Sequence, residues 1–133
     1  MNENSIQVSS LEQPEVALLA TGYPFRAKQY LDFYQESFNQ LFQQVSGIRR
    51  AGSAALDLCY VACGRFDGFW ELDLHAWDIA AGSIIIEEAG GRITDFSGGE
   101  NVLETGNTIA SNAKLHLMMV NTIKTIFAGI VDQ

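Results

Sequence analysis

The sequence predicts an α/β fold: a three-layer αβα sandwich around a mainly parallel, roughly five-stranded sheet, formed by one domain over residues 1–133. Three observations predict it. Short apolar runs alternate along the chain with stretches of helical periodicity. Glycines punctuate the ends of those stretches, with no internal repeat and no low-complexity linker. A length of 133 residues with 47% hydrophobic content is enough to bury one sizeable core.

The elements follow in order. Val16 to Thr21 is a short apolar run ending at Gly22, with Pro24 beyond, and reads as a buried strand. In residues 26–45, Tyr30, Leu31, Tyr34, Phe38, Leu41, Phe42 and Val45 recur at helical spacing, so this segment is an amphipathic helix. Gly47 breaks it, and Ile48 to Arg50 is a short extended piece. Gly52-Ser53 opens a second helix over 53–63, with Ala55, Leu56, Cys59, Tyr60 and Cys63 as its apolar side and Gly64 as its stop. Asp67 to Leu72 reads as a strand whose Phe69-Trp70 pair packs in the core. Asp78 to Ala89 is a third helix, halted by Gly90-Gly91. Arg92 to Asp95 is a strand, Ser97 to Gly99 a turn and Thr108 to Ala110 another strand. Ser111-Asn112 cap a last helix over 113–130.

Composition excludes several functions. A net charge of −8 leaves no basic footprint for DNA or RNA and sits badly with an anionic membrane surface. No apolar run approaches the roughly 20 residues of a membrane span. The opening MNENSIQVSS lacks the basic and apolar regions of a signal peptide, so the expected location is cytoplasmic. Cys59 and Cys63 share a helix face at a spacing poorly suited to a disulfide, and read as buried small hydrophobes in a reducing compartment.

In open α/β sheets ligands sit beyond the carboxyl ends of strands, where helices begin. Two junctions stand out on that rule. Arg49 to Ala55 places small residues at a helix start, where free N–H groups favour oxygen-rich ligands and glycine admits close approach. Ser53 there is equally a plain helix cap. The second junction carries Glu71, Asp73, His75 and Asp78, and carboxylate oxygens of this kind suit Mg²⁺ better than zinc. Asp78 is also a good cap for the helix behind it, and His75 lacks a nearby second histidine and reads as structural or solvent-facing. His116 reads as structural, and Asp57 as a cap or a solvent-facing carboxylate.

The segment WDIAAGSIIIEEAGG resembles the C-terminal signature of the inositol monophosphatase family. ATGYPFR and IRRAGSAALDLCYVACGRFDGFWE resemble the stretch leading into that signature, and GGE followed by NTIASN the stretch after it, so nearly the whole chain is covered. The resemblance implies the C-terminal αβα part of a five-layer αβαβα fold and a Mg²⁺-dependent phosphomonoesterase. Asp78 then matches a catalytic aspartate that ligates Mg²⁺ and contacts substrate. Glu71 matches a residue that bonds inositol hydroxyls, and Gly52, Ser53 and Ala54 match a turn that meets the sugar ring. The substrate implied is a phosphomonoester such as inositol 1-phosphate, attacked in line by a metal-activated water. Relatives acting on fructose 1,6-bisphosphate, adenosine 3′,5′-bisphosphate or histidinol phosphate keep other sugar and nucleotide phosphates open.

The family's other ligands lie in a G-E-E motif and a D-P-(I/L)-D-G-(T/S) motif. This chain has no Asp-Pro, and its Glu87-Glu88 belongs to the signature helix. Further Mg²⁺ ligands are therefore needed, and the isolated chain is expected to be inactive, because one aspartate leaves Mg²⁺ almost fully hydrated. The implied partners are a missing N-terminal half or a second copy in a homodimer. The alternative is a non-catalytic interaction or assembly module, since an uncovered apolar face drives association.

Overall fold

In the computed structural model, which describes residues 5–131, five strands form one sheet in the order β2-β1-β3-β5-β4. The strands are β1 (Leu18–Thr21), β2 (Gly47–Arg49), β3 (Gly68–Glu71), β4 (Arg92–Thr94) and β5 (Thr108–Ser111). β1 pairs in parallel with β2 and β3, whereas β5 is antiparallel to both β3 and β4. Four strands therefore run one way and β5 runs against them, giving a mixed sheet. The helices are α1 (Leu31–Gln44), α2 (Ala54–Ala62), α3 (Ala76–Glu88), α4 (Val102–Thr105) and α5 (His116–Phe127).

Strand alternation builds the two faces. Leu19, Trp70 and Ile109 point into one core with Tyr34 and Leu41 of α1 and Met119, Ile123 and Phe127 of α5. Their neighbours Ala20, Phe69 and Ala110 point the other way, onto Leu58 and Val61 of α2 and Ile79 and Ile86 of α3. The result is the expected αβα layering. The Trp70 indole N–H donates to Ser37 Oγ at 3.1 Å, so the largest core side chain is also satisfied. Gly82 lets α3 lie against α2: a Cβ there would sit 2.4 Å from Leu58 Cδ1.

Several boundaries and faces differ from the sequence expectation. α3 starts at Ala76, so Asp78 lies inside its first turn and no side chain caps the helix. Ser111 and Asn112 do cap backbone N–H groups, of Ala113 and Leu115, but in a turn that precedes α5. α4 is one short turn with no apolar period to announce it. The buried side of α2 is Asp57, Leu58, Val61 and Ala62, while Leu56 is 52% exposed. The opposite assignment fails because AALDLCYVA is apolar nearly all round and offers the periodicity little contrast. Cys59 and Cys63 are free, as expected, but half-buried rather than buried. His116 is structural: its ring lies between Thr94 Oγ1 at 2.7 Å and Ser111 Oγ at 2.8 Å. Burial, and secondarily Arg92, pushes its pKa down to about 4.

Among the described residues no helix is long and apolar enough to cross a membrane. The opening residues, on which the expectation of no signal peptide rests, include 1–4, which lie outside the described residues.

Candidate functional site

Parallel pairing of β2, β1 and β3 brings three strand ends to one edge of the sheet, the edge where such folds hold ligands. β2 delivers the turn Arg50 to Ser53, and β3 delivers Glu71 and the loop to Asp78. These are the two junctions singled out in the sequence. β1 adds a third, Gly22 to Arg26, whose ligand-facing position depends on the strand pairing.

The three ends enclose a cleft of about 90 Å³ lined by Gly22, Tyr23, Phe25, Arg50, Gly52, Ser53, Ala54, Asp57 and Glu71. The backbone is shaped for it. Gly52 takes φ +92°, a left-handed conformation that glycine tolerates best. Ser53 then caps α2, its Oγ accepting from Leu56 N at 3.3 Å. Gly22 lies against Glu71, and a Cβ at Gly22 would fall 1.9 Å from Glu71 Oε1. The Arg50 guanidinium stacks 4.7 Å from the Tyr23 ring centroid and 5.1 Å from that of Phe25, which fixes a cation at the cleft wall.

Two carboxyl groups share this space. Burial pushes Glu71 up to about 7; Asp57 and Asp78 add to the effect, and Arg26 and Arg50 oppose it. Burial raises Asp57 to about 6, again against Arg50. Asp57 is only 1% exposed, and its Oδ1 is buried without a hydrogen-bond partner. It neither caps the helix nor faces solvent, contrary to the sequence expectation. A carboxylate packed with Leu58, Val61 and Ala62 is out of place unless it faces a site, but that this stripe turns inward is visible only in the folded chain.

Asp78 stands apart from this cleft. It is half-buried in the first turn of α3 and does not line the cavity, though its charge reaches Glu71. The preceding loop is held firmly. Asp73 takes φ 56° and its N–H donates to Asn107 Oδ1 at 3.1 Å, while Leu74 N donates to Gly106 O at 2.8 Å. Arg26 bonds the Asp73 carbonyl and the His75 ring, and that ring stacks on Trp77 at 4.2 Å between centroids. His75 is thus exposed and engaged by Arg26 and Trp77, a structural part.

Among the described residues no three His, Cys, Asp or Glu side chains are grouped to hold a metal ion. Mg²⁺ dehydrates reluctantly and needs several oxygen donors to remain bound, so the donor set among the described residues does not by itself fit the ion. The cleft can do other chemistry. Carboxyls with pKa values near neutrality both donate to and accept from hydroxyl groups, and the N–H groups at the start of α2 favour oxygen.

Comparison with known proteins agrees with this fold. The model of the inositol monophosphatase family matches residues 1–126. A Nus factor SuhB from Pseudomonas aeruginosa is 47% identical over 126 residues, covering 93% of this chain and 46% of the relative. Among solved structures, the extragenic suppressor protein suhB from Bartonella henselae superposes with a TM-score of 0.88 at 41% identity, covering 92% of this chain and 47% of that one. An inositol monophosphatase from Anabaena gives 0.86 at 37% identity, covering 93% and 51%. The chain thus spans about half the length of the relatives it matches, corresponding to their C-terminal half. It belongs to the inositol monophosphatase family.

Proposed function

We propose that this chain is a single C-terminal domain, residues 1–133, of a Mg²⁺-dependent phosphomonoesterase that releases phosphate from a polyol phosphate such as inositol 1-phosphate. The observation that carries this reading is the convergence of the Gly52-Ser53-Ala54 turn and Glu71 on one cleft at the ligand edge of a sheet of this family. In this reading Gly52, Ser53, Ala54 and Glu71 bind the alcohol part of the substrate. Asp78, in the first turn of α3, contributes one carboxylate to a Mg²⁺ site and contacts substrate. The remaining ligands belong to a partner half, so the isolated chain lacks activity. The setting is cytoplasmic, with a second copy or the N-terminal half as partner and no role for nucleic acid or membrane.

The test is Mg²⁺-dependent phosphate release from inositol 1-phosphate by the isolated chain, and by the chain joined to the N-terminal half of a relative. The account expects turnover in the joined protein alone. Robust turnover by the isolated chain overturns the claim that its site is incomplete, and a joined, folded protein inert toward every phosphomonoester in a panel overturns the enzyme reading. Fructose 1,6-bisphosphate, adenosine 3′,5′-bisphosphate and histidinol phosphate belong in that panel.

A second reading is favoured by the name Nus factor SuhB carried by the 47% identical relative: an assembly role without catalysis. A joined protein that complements loss of that relative while carrying Asp78→Asn would support it.

A further inference from the structure

Asp57 is the cleft group that the fold leaves unused. Its Oδ1 is buried and unpartnered, although the residue lies one helical turn behind the Ser53 cap on the inner side of α2. A buried acceptor left without a partner destabilises the fold, and folded proteins rarely retain one unless something outside the fold satisfies it. The obvious internal partner does not serve. Arg50 lines the same cleft, but its guanidinium lies over Tyr23 and Phe25, and among the described residues it forms no ion pair with Asp57.

The cleft, about 90 Å³, gives a ring room to bring its hydroxyl groups to Asp57. Glu71 lines the same space, pressed against Gly22. Two carboxyl groups facing one small cavity match a ligand that presents two neighbouring O–H donors. We propose that Asp57 is a second hydroxyl-reading carboxylate, so that the cleft selects a vicinal polyol, with one hydroxyl donating to Glu71 and its neighbour to Asp57. The inference rests on reading this cleft as an alcohol site. It adds a specificity-determining residue to the polyol site already proposed: compounds with a lone hydroxyl, or with neighbouring positions blocked, fit poorly.

The test uses the 133-residue chain with free myo-inositol, without phosphate or metal, followed by amide chemical shifts. Cyclohexanol serves as the single-hydroxyl control. Saturable shifts are expected at Ser53, Ala54, Asp57 and Glu71, with myo-inositol bound at least about tenfold more tightly than cyclohexanol, the scale of one charge-assisted hydrogen bond. Asp57→Asn, which preserves shape, and Asp57→Ala should each erase most of that preference. The proposal is overturned if the wild-type chain shows no saturable shift at residues 53–57, or if Asp57→Asn binds myo-inositol as the wild type does. Failure of the phosphatase reading is distinguishable: inositol would still bind through Asp57 while a joined protein released no phosphate.

Discussion

Replacing Asp57 by Asn should stabilise the fold, with a pH dependence that identifies the cause. In the folded chain Asp57 titrates at about 6 instead of 3.8, because burial penalises its charge. An acid whose folded pKa is raised binds more protons folded than unfolded, so its stabilising contribution is complete below pH 3.8 and is lost as pH rises through about 6. Each tenfold change in acid dissociation is worth about 1.4 kcal/mol, so ionising Asp57 at neutral pH costs up to about 3 kcal/mol. Asn keeps the shape and a neutral polar group, and removes that cost. Water entering the cleft, and the shared titration with Glu71, reduce the difference to about 1–3 kcal/mol. Urea unfolding of both proteins from pH 4 to pH 8 measures it. The two should be nearly equal at pH 4, with Asp57→Asn ahead by about 1–3 kcal/mol at pH 7 and roughly 3–5 °C higher in Tm per kcal/mol. Asp57→Asn less stable than wild type at pH 7 would refute the reasoning, because the carboxylate would then have a stabilising partner within the fold.

Three further outcomes follow from the geometry. Gly22→Ala should weaken myo-inositol binding several-fold with little change in Tm, because the new Cβ, 1.9 Å from Glu71 Oε1, displaces a side chain that can swing away; unchanged binding in an amide-shift titration would show that Glu71 is not held there for the ligand. Gly106→Ala should cost more than about 1 kcal/mol in a thermal melt, since φ is +74° and the Cβ would meet the Leu74 carbonyl oxygen at 2.6 Å. His116, pushed down to about 4, contributes stability that is present above pH 6.5 and lost as pH falls through 4, and His116→Asn should flatten that part of the acid unfolding curve.

Much of the layer structure was legible in the sequence, for identifiable reasons. Leu19-Ala20, Phe69-Trp70 and Ile109-Ala110 each place apolar neighbours on opposite faces, and short runs of that kind between helical stretches leave little besides an αβα sandwich. The cleft was legible at Gly52 and Glu71 because the strand-end rule needs only the order of elements. Gly22 escaped because its meaning depends on β1 pairing beside β3, which sets it against Glu71. Asp57 escaped because the local pattern of α2 is apolar on every side and the sheet alone decides which side turns inward. Asp78 was placed at a helix cap, yet α3 begins two residues earlier and the carboxylate makes no capping bond, which leaves it available to a ligand.

The central claim is that this chain carries the alcohol-reading side of a phosphomonoesterase site together with one carboxylate of its metal cluster. The most direct test is kcat for inositol 1-phosphate hydrolysis by the complete, joined protein with Asp78 intact and with Asp78→Asn. The account predicts a fall in kcat of at least about a hundredfold, the scale of losing a charged group that acts in the transition state. A near-normal rate in Asp78→Asn would contradict it and leave Asp78 a structural residue of the first turn of α3.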